Sequence, residues 1–186
     1  MYIKSENSQA LQSQQMIMDA LLRLMMLYPF NNITITQICQ EAQVVRQTFY
    51  RNFELKADIL ELYLDNMFQK YISDHSNPEM DTYQQIKSFF DYLMLRKDFL
   101  KLIQKNNLLF LFNKSLNKTI SIVISISNKE KNPKTIREPI YDTYVLGFLA
   151  STICSILSLW IRNDFEESPE MLADMAMIFF NGLMKH

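Results

Sequence analysis

ITITQICQEAQVVRQTFYRNFELKADIL, Ile33 to Leu60, is the stretch on which the fold turns. It opens with a complete helix start: Thr34 stands as N-cap, Gln37 follows three residues on to close a capping box, and Ile33 and Ile38 are spaced as a hydrophobic staple. The helix so begun is short, because after Ala42 the chain reads QVV before a helical pattern resumes in RQTFYRNF. There Phe49 and Phe53 fall on one face and leave Arg46, Gln47, Thr48 and Tyr50 to point elsewhere. Two short helices parted by about three residues make a helix-turn-helix candidate over roughly residues 34 to 53.

Outward from this stretch the helical period continues in both directions. Ile17, Leu21, Leu24 and Tyr28 mark one face of a helix over 9–28 that Pro29 ends. On the other side, Ile59, Leu60, Tyr63, Leu64, Met67, Phe68 and Tyr71 form the stripe of a helix from Lys56 to about Asp74. Beyond Pro78 the pattern predicts helices at roughly 80–95, 98–106, 107–127, 139–163 and 168–185, with NKEKNPKTIREP as the one long polar loop. Within 107–127 the segment TISIVISIS alternates isoleucine and serine with a period of two, a strand signal. A helix is nevertheless expected there, because one isolated strand has no sheet to join. The expected fold is all-α, with about nine helices. A three-helix head over 1–55 would carry the helix-turn-helix, and a helical body over 56–186 would follow it.

Composition narrows the function. The chain has 186 residues, 48% of them hydrophobic, with only two glycines, so it can bury a substantial core but lacks the punctuation of a hairpin-rich β protein. A formal net charge of −1 argues against nonspecific coating of nucleic acid while leaving room for a small local DNA footprint. Cys39 and Cys154 sit far apart in apolar surroundings and read as small buried hydrophobes, so no metal site and no cofactor are expected. The N-terminal sequence has no signal-peptide core, and a cytoplasmic location follows as the expectation. Thr143 to Ile161 runs 19 residues without a charge, near the length of a membrane span, but its five serines and threonines favour a buried helix. No glycine-rich phosphate loop, Ser-His or Cys-His arrangement, or paired carboxylates point to an enzyme.

The stretch from Ile33 to Leu60 resembles the DNA-binding head of the TetR family of bacterial regulators. The resemblance rests on the threonine-capped helix with Ile38 and Ala42 inward, Val44 in the turn, the TFY-x-x-F segment ending at Phe53, and Lys56 and Leu60 opening the next helix. It implies a homodimer on double-stranded operator DNA. The chemistry of the exposed face agrees, since Arg46 can bond guanine O6 and N7 together, Gln47 can bond adenine N6 and N7, and Thr48 can meet a phosphate or a thymine methyl. By resemblance Tyr50 and Lys56 contact phosphate, Lys56 beside the N-terminus of its helix, with Thr36 and Arg51 as further phosphate candidates. Three positions depart from the family pattern: Gln43 stands where a turn glycine is usual, Val45 replaces a serine N-cap, and Leu55 replaces a polar cap.

In the body, Gly147, Ser151 and Ser155 recur every four residues, and Met175 and Phe179 lie on an apolar stripe of the last helix. Such stripes either close the core of one chain or, as the resemblance implies, meet a two-fold mate. The resemblance also implies a cavity for an apolar or aromatic small-molecule effector, with Phe89, Phe90, Leu93, Phe110, Tyr141 and Tyr144 as candidates for its lining. The expected function is a repressor released by that effector. The alternatives are an activator or co-regulator acting through a protein partner and, in a different class, a membrane-anchored helical protein.

Overall fold

The computed structural model describes residues 8–75, 80–130 and 139–183, and among them the chain forms nine α-helices and no strand. By contact the chain divides into two compact units, residues 1–67 and 68–186. The division falls inside a helix, later than the expected boundary at residue 55. The reason is local: the first turn of that helix bonds back to the head through Lys56 and Asp58.

The head consists of α1 (Ser8–Leu27), α2 (Ile35–Glu41), α3 (Arg46–Asn52) and the first turns of α4 (Lys56–His75). A short 3-10 turn, Phe30–Asn32, which the sequence pattern did not announce, follows Pro29. Helix α1 packs on both α2 and α3. Its stripe of Ile17, Leu21 and Leu24 is buried, as are Ile38, Phe49, Phe53 and Leu60. The Phe49 and Phe53 rings meet with centroids 5.9 Å apart. The expected capping box of α2 is present: Gln37 N donates to Thr34 Oγ1 at 3.2 Å and Thr34 N donates to Gln37 Oε1 at 2.8 Å.

The body contains α5 (Thr82–Met94), α6 (Lys97–Lys105), α7 (Leu109–Glu130), α8 (Pro139–Arg162) and α9 (Pro169–Leu183). Helix α5 packs on α9, and α7 and α6 pack on α8. The isoleucine-serine alternation lies within helix α7, which satisfies its backbone internally and packs on α8. Aromatic rings supply much of the core: Phe68 meets Phe112 edge-on at 5.1 Å, and Phe90 meets Trp160 at 5.8 Å. Burial pushes the Cys154 thiol up to about 11, so it stays protonated and inert at neutral pH. Among the described residues no helix is long and apolar enough to cross a membrane, α8 included.

One device ends helices in both units. Helices α2, α6 and α8 each finish with a left-handed residue, Gln43 (φ 54°), Asn107 (φ 58°) and Asp164 (φ 55°). In each case the next amide reaches back to a carbonyl five residues earlier: Val44 N to Cys39 O, Leu108 N to Ile103 O and Phe165 N to Trp160 O, at 2.8 to 2.9 Å. This is the Schellman arrangement, made here without glycine. Its apolar contact is visible at Phe165, whose ring lies 4.7 Å from that of Trp160. Phe165 is itself left-handed at φ 61°, a strained state for a bulky residue that this buried ring contact holds in place.

Candidate nucleic-acid interface

Helix α3 is held by its buried face. Phe49 is fully buried and Asn52 Nδ2 donates to the Thr48 carbonyl at 2.8 Å, so the opposite face is fixed outward. On that face Arg46, Gln47, Tyr50 and Arg51 are exposed and Thr48 is half-buried. Two contacts pre-order the long side chains: Arg46 Nη2 donates to Tyr50 Oη and Arg51 Nη2 to Thr48 Oγ1, both at 3.4 Å. Thr36 is exposed on the first turn of α2. The sequence-predicted residues from Arg46 to Arg51 therefore share one short helix and one accessible face, with two guanidinium groups and an amide as donors. Beside them a groove of about 600 Å³ runs between α1 and α3, lined by Gln9, Gln12, Ser13, Gln43, Thr48 and Arg51 among others. The α1 residues of this groove escaped sequence reasoning, and their only signal is the polar run SQALQSQQ.

Lys56 is bonded within the head. Its ammonium turns inward and donates to three backbone carbonyls, Phe30 O at 2.6 Å, Ile33 O at 2.8 Å and Asn31 O at 3.1 Å. It also lies 4.6 Å from the centroid of the Phe30 ring. An ammonium has three donors, and in this arrangement all three are engaged with the backbone. Burial draws its pKa below the ordinary lysine value. At the start of α4 Asp58 supplies the reciprocal half of a capping box: its buried carboxylate accepts from Leu55 N at 2.8 Å and Glu54 N at 3.1 Å. Val45 has no such substitute and caps α3 without a side-chain bond.

In the body, a cavity of about 320 Å³ lies among α4, α5, α7, α8 and α9. Phe89 and Phe90 line it. Leu93 is fully buried in the core and is not among the lining residues, while Phe110 and Tyr144 are 62% and 75% exposed and do not line it either. Spacing marks a helix face but does not say which neighbour that face meets. The lining residues that sequence reasoning missed include Phe68, Tyr71, Ile86, Leu116, Phe148 and Ile156. No charged side chain is among the described lining residues. The hydroxyl of Tyr71 is engaged with Gln85 O at 3.2 Å and Ser88 Oγ at 3.1 Å, and Thr152 Oγ1 donates to Phe148 O at 2.9 Å.

The candidate interface residues Ser151, Ser155 and Met175 are exposed, and Gly147 is half-buried with open space where a Cβ would stand. Leu159 on α8 and Met171 and Ile178 on α9 are exposed as well, Ile178 to 72%. The side chains of Tyr141 and Phe179 lie outside those described.

Comparison with known proteins agrees with this geometry. Residues 17–63 match the model of the bacterial regulatory proteins of the tetR family, and residues 79–182, more than half of the chain, match a transcriptional regulator C-terminal region of TetR type. No curated protein matches the chain. Among solved structures, Lin0861 from Listeria innocua is similar with a TM-score of 0.77 at 14% identity, over 97% of this chain and 96% of that one. The dihydroxyacetone kinase operon activator DhaS is similar with a TM-score of 0.58 at 22% identity, over 93% and 96%. The fatty acid degradation regulator FadR from Bacillus halodurans is similar with a TM-score of 0.57 at 15% identity, over 93% and 94%. At these identities the likeness is one of fold, and it extends through head and body alike. With both family models placed on the two units that the structure separates, the chain belongs to the TetR family of transcriptional regulators and carries that family's DNA-binding domain.

Proposed function

We propose that the protein is a homodimeric repressor that reads an operator through α3 and leaves it when an apolar small molecule enters the cavity of the body. The observation that carries the reading is the outward face of α3, where Arg46 and Gln47, the two side chains suited to bidentate base contacts, stand exposed on a helix locked by Phe49. Thr48, Tyr50, Arg51 and Thr36 would meet the backbone. Helix α4 supports the link to the effector, since it contributes Phe68 and Tyr71 to the cavity and Lys56 and Asp58 to the head. Two half-sites about one helical turn apart, roughly 34 Å, demand a fixed distance between recognition helices, so an effector that favours another spacing releases DNA. The exposed apolar residues of α8 and α9, with Ser151 and Ser155 between them, support a mate on that face.

A second reading, activation through a protein partner, is favoured by the fold likeness to an operon activator and by the exposed Phe110 and Leu95 on the body. A reporter fused to the promoter nearest a selected binding site separates the two. Deleting the regulator raises expression under the first reading and lowers it under the second. Failure of the protein to select any duplex from a random pool would sink both.

A further inference from the structure

Lys56 opens α4, yet its ammonium sits on the chain 23 to 26 residues earlier, at the junction between the 3-10 turn and α2. The carbonyls it binds belong to Phe30, Asn31 and Ile33, and Ile33 directly precedes the N-cap Thr34. Phe30 and Ile33 are themselves buried, so the three acceptors converge on a rigid segment. Helix α2 packs on α3, which presents Arg46 and Gln47, so the start of α2 is one of the supports of the recognition helix. The charge is compact and strongly hydrated in water, and here three carbonyl oxygens replace that hydration.

We propose that Lys56 is a positioning residue: it ties the first turn of α4 to the entry of α2 and so sets the recognition helix in register, in place of binding a phosphate. This rests on the reading of α3 as the DNA-reading helix. An arginine at the same point would keep the charge for a phosphate, but its planar fork cannot aim three donors at three converging carbonyls. The two roles therefore separate on a conservative change.

The test compares wild type with Lys56→Arg and Lys56→Met by amide hydrogen exchange over residues 33–45, by affinity for a duplex that the wild-type protein has selected from a random pool, and by the salt dependence of that affinity. The tie predicts faster exchange over 33–45 in both variants, with α6 unchanged. At a temperature where both variants are folded by circular dichroism, affinity for the selected duplex falls roughly tenfold, as for one misaligned bidentate base contact. Its salt dependence stays that of wild type. Wild-type affinity in Lys56→Arg, together with a salt slope reduced by about one in Lys56→Met, would identify a phosphate ligand and overturn the proposal. Faster exchange with undiminished affinity would make Lys56 structural only, which also overturns it. If Lys56→Met does not fold, Lys56→Arg decides alone. If the wild-type protein selects no duplex, the DNA-reading role of α3 fails by itself, and unchanged exchange over 33–45 still refutes the tie.

Discussion

Head and body are built from the same helix-ending device but closed by different means. In the head, both ends of α2 and the start of α4 are fixed by named bonds: the Thr34 and Gln37 box, the left-handed Gln43, the Asp58 carboxylate and the three carbonyls around Lys56, while in the body α5 opens on a capping box of its own, Asp81 with Gln84. In the body, long helices are held by aromatic rings around Phe68, Phe90 and Trp160, and they leave a cavity of about 320 Å³ and exposed apolar residues on α8 and α9. A reader of base edges needs its donors held to fractions of an ångström, and local bonds supply that. The proposed effector response needs space and an element with more than one arrangement, and the cavity of the body offers the space.

The largest effect is expected where the head's core is emptied. Phe49→Ala should cost about 3 to 5 kcal/mol and abolish exchange protection in α1 to α3 while α5 and α6 stay protected. Loss of protection in both units at once would break the contrast by making them one cooperative body. Filling the body cavity should act oppositely: Ile156→Phe should raise stability by about 1 kcal/mol in thermal melts and blunt any effector response. A clear loss would mean the space is not available. Gln43→Gly should stabilise the head by about 1 kcal/mol, since glycine holds φ near 54° without a Cβ penalty. Asn107→Gly in the body should change stability by only a few tenths of a kcal/mol, because asparagine tolerates the same conformation.

Sequence legibility follows the same division. The head could be read because its signals are local: a capping box, a Phe-x-x-x-Phe face and a turn position that demands a left-handed residue all lie within a few positions of each other. The backbone contacts of Lys56 were not legible because its partners are 23 to 26 residues away and are carbonyls, which carry no sequence signature. The capping role of Asp58 was hidden for a related reason, since Leu55 at the cap position drew attention from the carboxylate three residues on. In the body the helices themselves were legible from period, and α7 is a helix despite its alternation, since no other strand is described for one to join. The cavity was not, because Phe89 and Phe110 carry the same apolar signal while one lines the space and the other faces solvent.

The central claim is that the exposed face of α3 reads base edges. Its most direct measurement is the affinity of Arg46→Ala and Gln47→Ala for a wild-type-selected duplex and for random DNA, at one fixed salt concentration. Each variant is expected to lose about 1 to 3 kcal/mol on the selected duplex with a much smaller loss on random DNA. Equal losses on both DNAs would contradict the claim and reduce Arg46 and Gln47 to contacts without sequence information.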